Sequence, residues 1–174
     1  MKKKKTRRIL NAEAAILLHR EDSDGSAMSL DEYVKEQVAA APGDEVNFYW
    51  HGGEPLEAGL AFFAQAVWLQ QKYAAGKVIH NFLETNAILL DAEWCHFFKN
   101  TDFILGVYLD GPQGFHDGYQ QPVSGQMTWR ETVAGIHLLN QYMIPYNIVC
   151  RVTSESVHYP AKLYRFFRNA GVKY

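Results

Sequence analysis

The feature that most constrains this fold is a fourfold alternation of short apolar runs with longer amphipathic segments. Each run is rich in β-branched and aromatic residues, which predicts a strand, and each longer segment repeats apolar residues at helical spacing. The predicted strands are 46–50, 78–85, 103–109 and 146–152, and the helices after them begin near residues 59, 91, 128 and 160. Four such units predict parallel strands joined by right-handed crossovers. An open doubly wound α/β sheet and the arc of a (β/α) barrel both remain possible.

Local signals add detail to this outline. Ser29 and Glu32 form a capping box that predicts a helix to about residue 40. A short helix is predicted over 12–18, and a long loop over 110–127. The helix over 59–75 is predicted to bury one face, made of Leu60, Phe63, Ala64, Val67 and Trp68.

Composition predicts one folded domain in the cytoplasm. The chain has 174 residues, of which 48% are hydrophobic, and this apolar content excludes intrinsic disorder. A net charge of −2 favours neither nucleic acid nor a membrane as a partner, and six basic residues within 1–8 indicate a solvated tail. No apolar run reaches the roughly 18 residues of a membrane span. The two cysteines, Cys95 in a predicted helix and Cys150 in a predicted strand, exclude a disulfide framework and fit small buried side chains.

The turn after the first predicted strand is the first candidate site. His51, Gly52, Gly53, Glu54 and Pro55 follow an apolar run and precede a helix. Adjacent glycines let a backbone turn sharply and approach a ligand closely, and the proline delays the helix. A strand, a glycine-rich turn and a helix form the usual small-molecule site of α/β proteins. A plain βα turn with an exposed glutamate is the structural alternative.

Polar residues recur at the carboxyl ends of the other predicted strands, where ligands bind in parallel α/β folds. They are Glu84, Thr85 and Asn86 after the second strand, Asp110, Gly111, Pro112, His116 and Asp117 after the third, and Arg151, Thr153 and Ser154 after the fourth. The same residue types also serve as helix N-caps and turn formers, which is the structural alternative.

These motifs, in this order and spacing, resemble the radical S-adenosylmethionine enzymes, and more narrowly the anaerobic sulfatase-maturating enzymes. The matching stretches are Trp50-His51-Gly52-Gly53-Glu54-Pro55, Glu84-Thr85-Asn86, and Leu109-Asp110-Gly111-Pro112 with His116-Asp117. The resemblance runs from about residue 29 to the end of the chain. It favours the barrel arc, with four or five parallel strands, because that family has a partial (β/α) barrel.

The resemblance implies an activity and a set of ligands. The family oxidises a cysteine or serine of a sulfatase polypeptide to formylglycine, using S-adenosylmethionine and a [4Fe–4S] cluster. It implies that the turn from Gly52 to Pro55 binds the cofactor, with Gly52, Gly53 and Glu54 at its methionine amino group. Asn86 and Asp110 are implied to lie near the cofactor or to shape its loops. The resemblance assigns no catalytic residue to this chain.

The chain departs from the family pattern at the cluster. The family carries three cysteines in a CxxxCxxC motif, and the corresponding positions here are Arg8, Ala12 and Ala15. Cluster iron is held by thiolates, which arginine and alanine cannot supply. Further departures are Glu84 for a glutamine, Ala87 for a glycine, Tyr108 for a serine and Gln120 for an arginine.

Three functions follow as expectations. The first is a truncated relative of the sulfatase maturases without radical catalysis, with residues 1–28 as a basic tail and degenerate cluster loop and 29–174 as a partial barrel. Residues 172–174 read as the start of a fifth strand, so an exposed sheet edge is available to another chain. The second is a module that binds S-adenosylmethionine or a partner. The third is a metal-dependent hydrolase using His51, Glu54, His116 and Asp117.

Overall fold

The computed structural model describes residues 28–117 and 128–172, and it confirms an α/β fold. The helices are α1 (Leu30–Ala40), α2 (Leu60–Tyr73), α3 (Ala92–Asn100), α4 (Gln113–His116), α5 (Trp129–Tyr142) and α6 (Pro160–Asn169). The strands are β1 (Glu45–Trp50), β2 (Val78–Thr85), β3 (Phe103–Tyr108) and β4 (Tyr146–Val149). Two 3-10 turns, Pro55–Ala58 and Ser156–His158, precede α2 and α6.

The strands form one open sheet of four parallel strands in the order β1-β2-β3-β4. Each predicted strand is present, and helices fill the connections as the alternating pattern requires. The predicted helix over 12–18 lies outside the described residues, as does nearly all of the predicted fifth strand. The predicted boundary at residue 29 stays a prediction, because the segment before it is also outside them.

The chain divides into two compact units, Met1–Asn81 and Phe82–Tyr174, with the boundary inside β2. In the first unit, α1 packs against α2. The Ser29 capping box forms as predicted, with reciprocal bonds to Glu32. The core is aromatic: Trp50 lies 5.9 Å from Phe48 and 5.3 Å from Phe63, centroid to centroid.

The buried face of α2 differs from the prediction. The helix buries Phe63, Ala66, Leu69 and Gln70, whereas Ala64 is exposed and Trp68 is 58% exposed. The reason is a polar contact in the core. The side chains of Gln70 and Asn81 pair through two hydrogen bonds of 2.8 and 2.9 Å, which require Gln70 to face the sheet.

In the second unit, β3 and β4 are in register from Leu105 with Tyr146 to Tyr108 with Val149. β4 is three residues shorter than predicted, because Asp110 Oδ1 accepts the Arg151 N–H at 2.8 Å in place of a strand carbonyl. Cys150 therefore follows the strand and does not lie in it. The predicted loop over 110–127 contains the one-turn helix α4, and residues 118–127 lie outside the described ones.

Candidate functional site

The turn after β1 has the geometry that its glycines predict. Gly52 and Gly53 have φ angles of 92° and 55°, in the left-handed region that glycine adopts without strain. A Cβ atom at Gly53 would have no neighbour within 4 Å, so open space lies beside this backbone. The turn therefore offers a ligand direct access to the main chain.

Glu54 is the charged side chain of this turn, and it is only 8% exposed. Its Oε1 accepts the Leu56 N–H at 3.1 Å, which caps the 3-10 turn that Pro55 begins. This bond fixes the side chain in one orientation. A carboxylate has about four acceptor sites on two oxygens, so one side chain can accept several hydrogen bonds, as binding an ammonium requires. Glu54 is therefore not the exposed glutamate of the structural alternative, and the binding of a ligand at this turn stays a prediction.

Asn86, the predicted residue after β2, shapes the loop in which it lies. Its Oδ1 accepts the Ile88 N–H at 2.9 Å, and Thr85 Oγ1 accepts the Ala87 N–H at 3.0 Å. A side chain that accepts the backbone N–H of the residue two positions later forms a ring like that of a backbone turn. They hold Ala87 at a φ of 64°, where the family pattern has glycine.

Asp110, the predicted residue after β3, is 1% exposed and ends β4 through the Arg151 bond described above. Its Oδ2 atom is buried and has no hydrogen-bond partner among residues 28–117 and 128–172. Its backbone N–H donates to His116 Nδ1 at 3.3 Å. Asp110 therefore joins the end of β3 to the segment after β4 and to α4.

His116 is fully buried, and its ring connects the backbone of Asp110 to the side chain of Thr128. Because Nδ1 accepts the Asp110 N–H, the ring proton lies on Nε2, which faces Thr128 Oγ1 at 3.2 Å. Burial lowers the pKa of His116, although the negative charges of Asp110 and Asp117 oppose this shift. Asp117 Oδ1 accepts the Trp129 N–H at 3.2 Å. Both residues thus anchor the start of α5.

One contact in the second unit was not predicted from the sequence. The Tyr108 hydroxyl donates a hydrogen bond to Glu84 Oε2. The two residues are 24 positions apart, and both depart from the family pattern. That both residues differ from the family pattern was the one sequence feature that could have indicated the contact. Their proximity follows only from the pairing of β2 with β3.

The predicted site residues thus lie in different parts of the chain. Gly52, Gly53, Glu54 and Pro55 belong to the first unit, after β1. Asn86 and Asp110 belong to the second unit, after β2 and β3. Each occupies the position after a strand that the sequence predicts.

Two properties of the described residues bear on the other hypotheses. No group of three or more His, Cys, Asp or Glu side chains in residues 28–117 and 128–172 is arranged to hold a metal ion. The metal-dependent hydrolase therefore gains no support from them. None of the helices in the same ranges has the length and apolar character needed to cross a bilayer.

Comparison with known proteins gives a family match over most of the chain. The model of the Radical SAM superfamily matches residues 7–166. A serine-type anaerobic sulfatase-maturating enzyme from Bacteroides thetaiotaomicron is 38% identical over 145 residues, which are 83% of this chain and 34% of that protein. A cysteine-type anaerobic sulfatase-maturating enzyme from Clostridium perfringens (strain 13) is 33% identical over 146 residues, covering 83% and 39%.

Solved structures of anaerobic sulfatase-maturating enzymes have a similar fold. Native anSMEcpe with bound AdoMet and Kp18Cys peptide superposes with a TM-score of 0.78 at 32% identity, over 83% of this chain and 40% of that one. Native anSMEcpe with bound AdoMet superposes with the same TM-score at 29% identity, over 90% and 45%. The chain thus spans less than half the length of these relatives.

Proposed function

The chain belongs to the radical SAM superfamily, and we propose that it binds S-adenosylmethionine without holding an iron–sulfur cluster of its own. It is a relative of the anaerobic sulfatase-maturating enzymes. The observation that carries the proposal is the turn after β1, where two left-handed glycines precede a buried, oriented carboxylate. The AdoMet bound in the similar solved structures supports the choice of ligand.

Glu54 is proposed to bind the methionine ammonium. An ammonium has three N–H donors and needs acceptors at close range. A buried carboxylate supplies acceptors that also carry negative charge. Hydrogen bonds between charged groups are about twice as strong as those between neutral groups. Gly52 and Gly53 let the ligand approach the backbone beside this carboxylate. Asn86 and Asp110 are proposed to shape loops. The Asn86 side chain accepts the backbone N–H of Ile88, and the Asp110 side chain accepts the backbone N–H of Arg151.

The cysteines of this chain do not fit a [4Fe–4S] cluster. Cluster ligands are thiolates in a fixed spacing, and the chain has only Cys95 and Cys150. Cys95 is fully buried in α3, and burial raises the pKa of its thiol. Burial also raises the pKa of Cys150, and the charge of Asp110 raises it further. Two cysteines cannot supply the three thiolates of the family's CxxxCxxC motif, and burial disfavours the thiolate at both, so no radical step is assigned to this chain.

A sulfatase polypeptide is the partner that family membership suggests. The Kp18Cys peptide bound in one similar structure supports this choice. In the proposed role the chain holds a ligand and a peptide without oxidising the peptide itself. The sheet edge beside β4 is the proposed place for pairing with another chain.

Isothermal titration calorimetry with S-adenosylmethionine tests the ligand. We expect saturable binding, and we expect Glu54→Ala to weaken it about a hundredfold, because charge-assisted hydrogen bonds contribute about 1.5–3 kcal/mol. Glu54→Gln keeps an acceptor for Leu56 and removes the charge, so it separates binding from turn structure. We expect it to weaken binding as well.

Glu57→Ala is the matched control. Glu57 lies in the same 3-10 turn and is exposed, so its loss changes the net charge equally. We expect its affinity to equal that of the unmodified chain. An absence of heat and of any thermal shift with S-adenosylmethionine would remove the cofactor version of the proposal.

A further inference from the structure

Helix α6 is attached to the rest of the second unit through one narrow face. Leu163 is the buried residue of this helix. It packs against the turn at Gly111, where an added Cβ atom would lie 2.5 Å from Leu163 Cδ2. Phe166 adds a ring contact with Trp129 of α5, at 6.2 Å between centroids. These contacts fix which side of α6 faces solvent.

The solvent side of α6 carries three cations and no acid. Lys162, Arg165 and Arg168 are exposed, and their spacing of three places them on one side of a helix. With about 3.6 residues per turn, this side lies opposite Leu163. No aspartate or glutamate occurs in 160–169. None of the three cations forms an ion pair within the part of the chain that the structure describes. These three residues are called the α6 cation face.

Two of these cations are held over aromatic rings. Lys162 Nζ lies 4.8 Å from the ring centroid of Phe115 and 5.9 Å from that of Tyr159. The guanidinium carbon of Arg168 lies 5.8 Å from the ring centroid of Tyr164. Such contacts attract a cation to the face of a ring. Both side chains are therefore oriented before any partner arrives, which lowers the entropy that binding must remove.

The chemistry around the third cation is that of a protein interface. Arg165 Nε donates to the backbone oxygen of Ala161 at 3.1 Å, which orients its guanidinium. A guanidinium can donate two parallel hydrogen bonds to one carboxylate. Tyr159 and Tyr164 beside the cations are 52% and 64% exposed. Tyrosine and arginine are enriched in protein interfaces relative to the rest of a protein surface.

We propose that the α6 cation face, together with Tyr164, binds an acidic segment of a partner polypeptide. Clustered cations are a recurring means of recognising acidic motifs, and the charge of this face is complementary to carboxylates. The three cations lie within about 9 Å along the helix axis, which suits a few carboxylates on one peptide. Nucleic acid is disfavoured, because proteins that bind it typically contact about 6–10 phosphates. The surface lies wholly in the second unit, so the inference does not depend on S-adenosylmethionine.

Fluorescence anisotropy with a labelled synthetic peptide tests this inference on the intact chain. The probe is a short peptide of glutamate, leucine and glycine, and its control has glutamine in place of every glutamate. We expect saturable binding of the glutamate peptide alone, and weaker binding at higher ionic strength, because salt screens exposed charges. Arg165→Gln and Arg168→Gln should each weaken binding about threefold, and the double variant about tenfold, as expected for exposed charge pairs.

Two further variants separate a defined surface from diffuse attraction to net charge. Lys99→Gln removes an equal charge from an exposed position in α3 and should leave the affinity unchanged. Tyr164→Ser keeps all three cations but removes the ring beside Arg168. We expect it to weaken binding about threefold, as expected for the loss of one exposed cation–π contact. Diffuse attraction would respond equally to Lys99→Gln and Arg165→Gln and would not respond to Tyr164→Ser.

Each outcome decides the inference. Equal binding of the two peptides, no binding of either, or equal losses for Lys99→Gln and Arg165→Gln would overturn it. Tighter binding of a single-stranded oligonucleotide than of the glutamate peptide would assign the face to nucleic acid and overturn it as well. Should Tyr164→Ser not fold, the comparison of Arg165→Gln with Lys99→Gln decides alone. The calorimetry with S-adenosylmethionine is a separate measurement, so a failure of the proposed function would leave this inference standing.

Discussion

Replacing Asn81 by leucine is expected to lower the free energy of unfolding by about 2–6 kcal/mol, because it leaves the buried polar groups of two side chains without partners, and each costs about 1–3 kcal/mol. Asn81 Oδ1 accepts hydrogen bonds from Trp50 Nε1 and Gln70 Nε2, both at 2.8 Å. Its Nδ2 donates to Gln70 Oε1 at 2.9 Å. Leucine has a similar size but bonds to neither partner. Urea denaturation followed by tryptophan fluorescence measures the change.

The cause can be separated from packing by a second substitution. Gln70→Leu in the Asn81→Leu background removes one stranded amide, and we expect it to recover part of the loss. Asn47→Leu, on the exposed face of β1, is the control and should change stability by less than about 0.5 kcal/mol. If Asn81→Leu proves as stable as the unmodified chain, the hydrogen-bonded cluster is not the basis of this core.

Gly135→Ala is expected to destabilise the chain by about 2–4 kcal/mol, against the gain of about 1 kcal/mol usual for this change inside a helix. Gly135 is buried in α5, where a Cβ atom would lie 2.2 Å from the backbone oxygen of Ala87 and 2.9 Å from its Cβ. A backbone atom cannot rotate away as a side chain can. The loop held by Asn86 must then move, or α5 must shift outward.

Gly114→Ala is the matched control, because a Cβ atom at Gly114 meets nothing within 4 Å. Thermal denaturation of the two variants should show a large decrease in Tm for Gly135→Ala and almost none for Gly114→Ala. Equal Tm values would mean that the approach of α5 to Ala87 is looser than the structure shows.

The helix starts and strand positions could be predicted from the sequence because local chemistry determines them. Ser29 and Asp91 accept the N3 amides that their positions predict. All four strands are present, because runs of β-branched and aromatic residues between turn signals are a local pattern. The family resemblance is confirmed by the match over residues 7–166.

The errors arose where a contact distant in sequence outweighs the local pattern. The helical wheel of α2 favours burying Trp68, but the pairing of Gln70 with Asn81 turns that residue to the surface. The apolar run after Tyr146 favours a strand to residue 152. Asp110, 41 positions earlier, takes the Arg151 amide and ends it. Neither partner can be identified from periodicity.

The positions of the candidate site residues could be predicted from the sequence, but the contacts of their side chains could be predicted only in part. The turn at Gly52 and Gly53 needs positive φ angles, and glycine is the residue that adopts them without strain, so the sequence indicates the turn directly. The burial of Glu54 depends on packing around the 3-10 turn, which periodicity does not describe. The contact between Glu84 and Tyr108 depends on strand pairing. Roles that depend on such pairings require the structure.

The most direct test of the account is anaerobic reconstitution of the chain with iron and sulfide, followed by addition of S-adenosylmethionine under reducing conditions. We expect that the ligand binds, that no stoichiometric [4Fe–4S] absorbance develops, and that S-adenosylmethionine is recovered intact. The reason is that Cys95 and Cys150 are the chain's two cysteines and do not have the spacing of a cluster motif. A stoichiometric cluster that cleaves S-adenosylmethionine would contradict it.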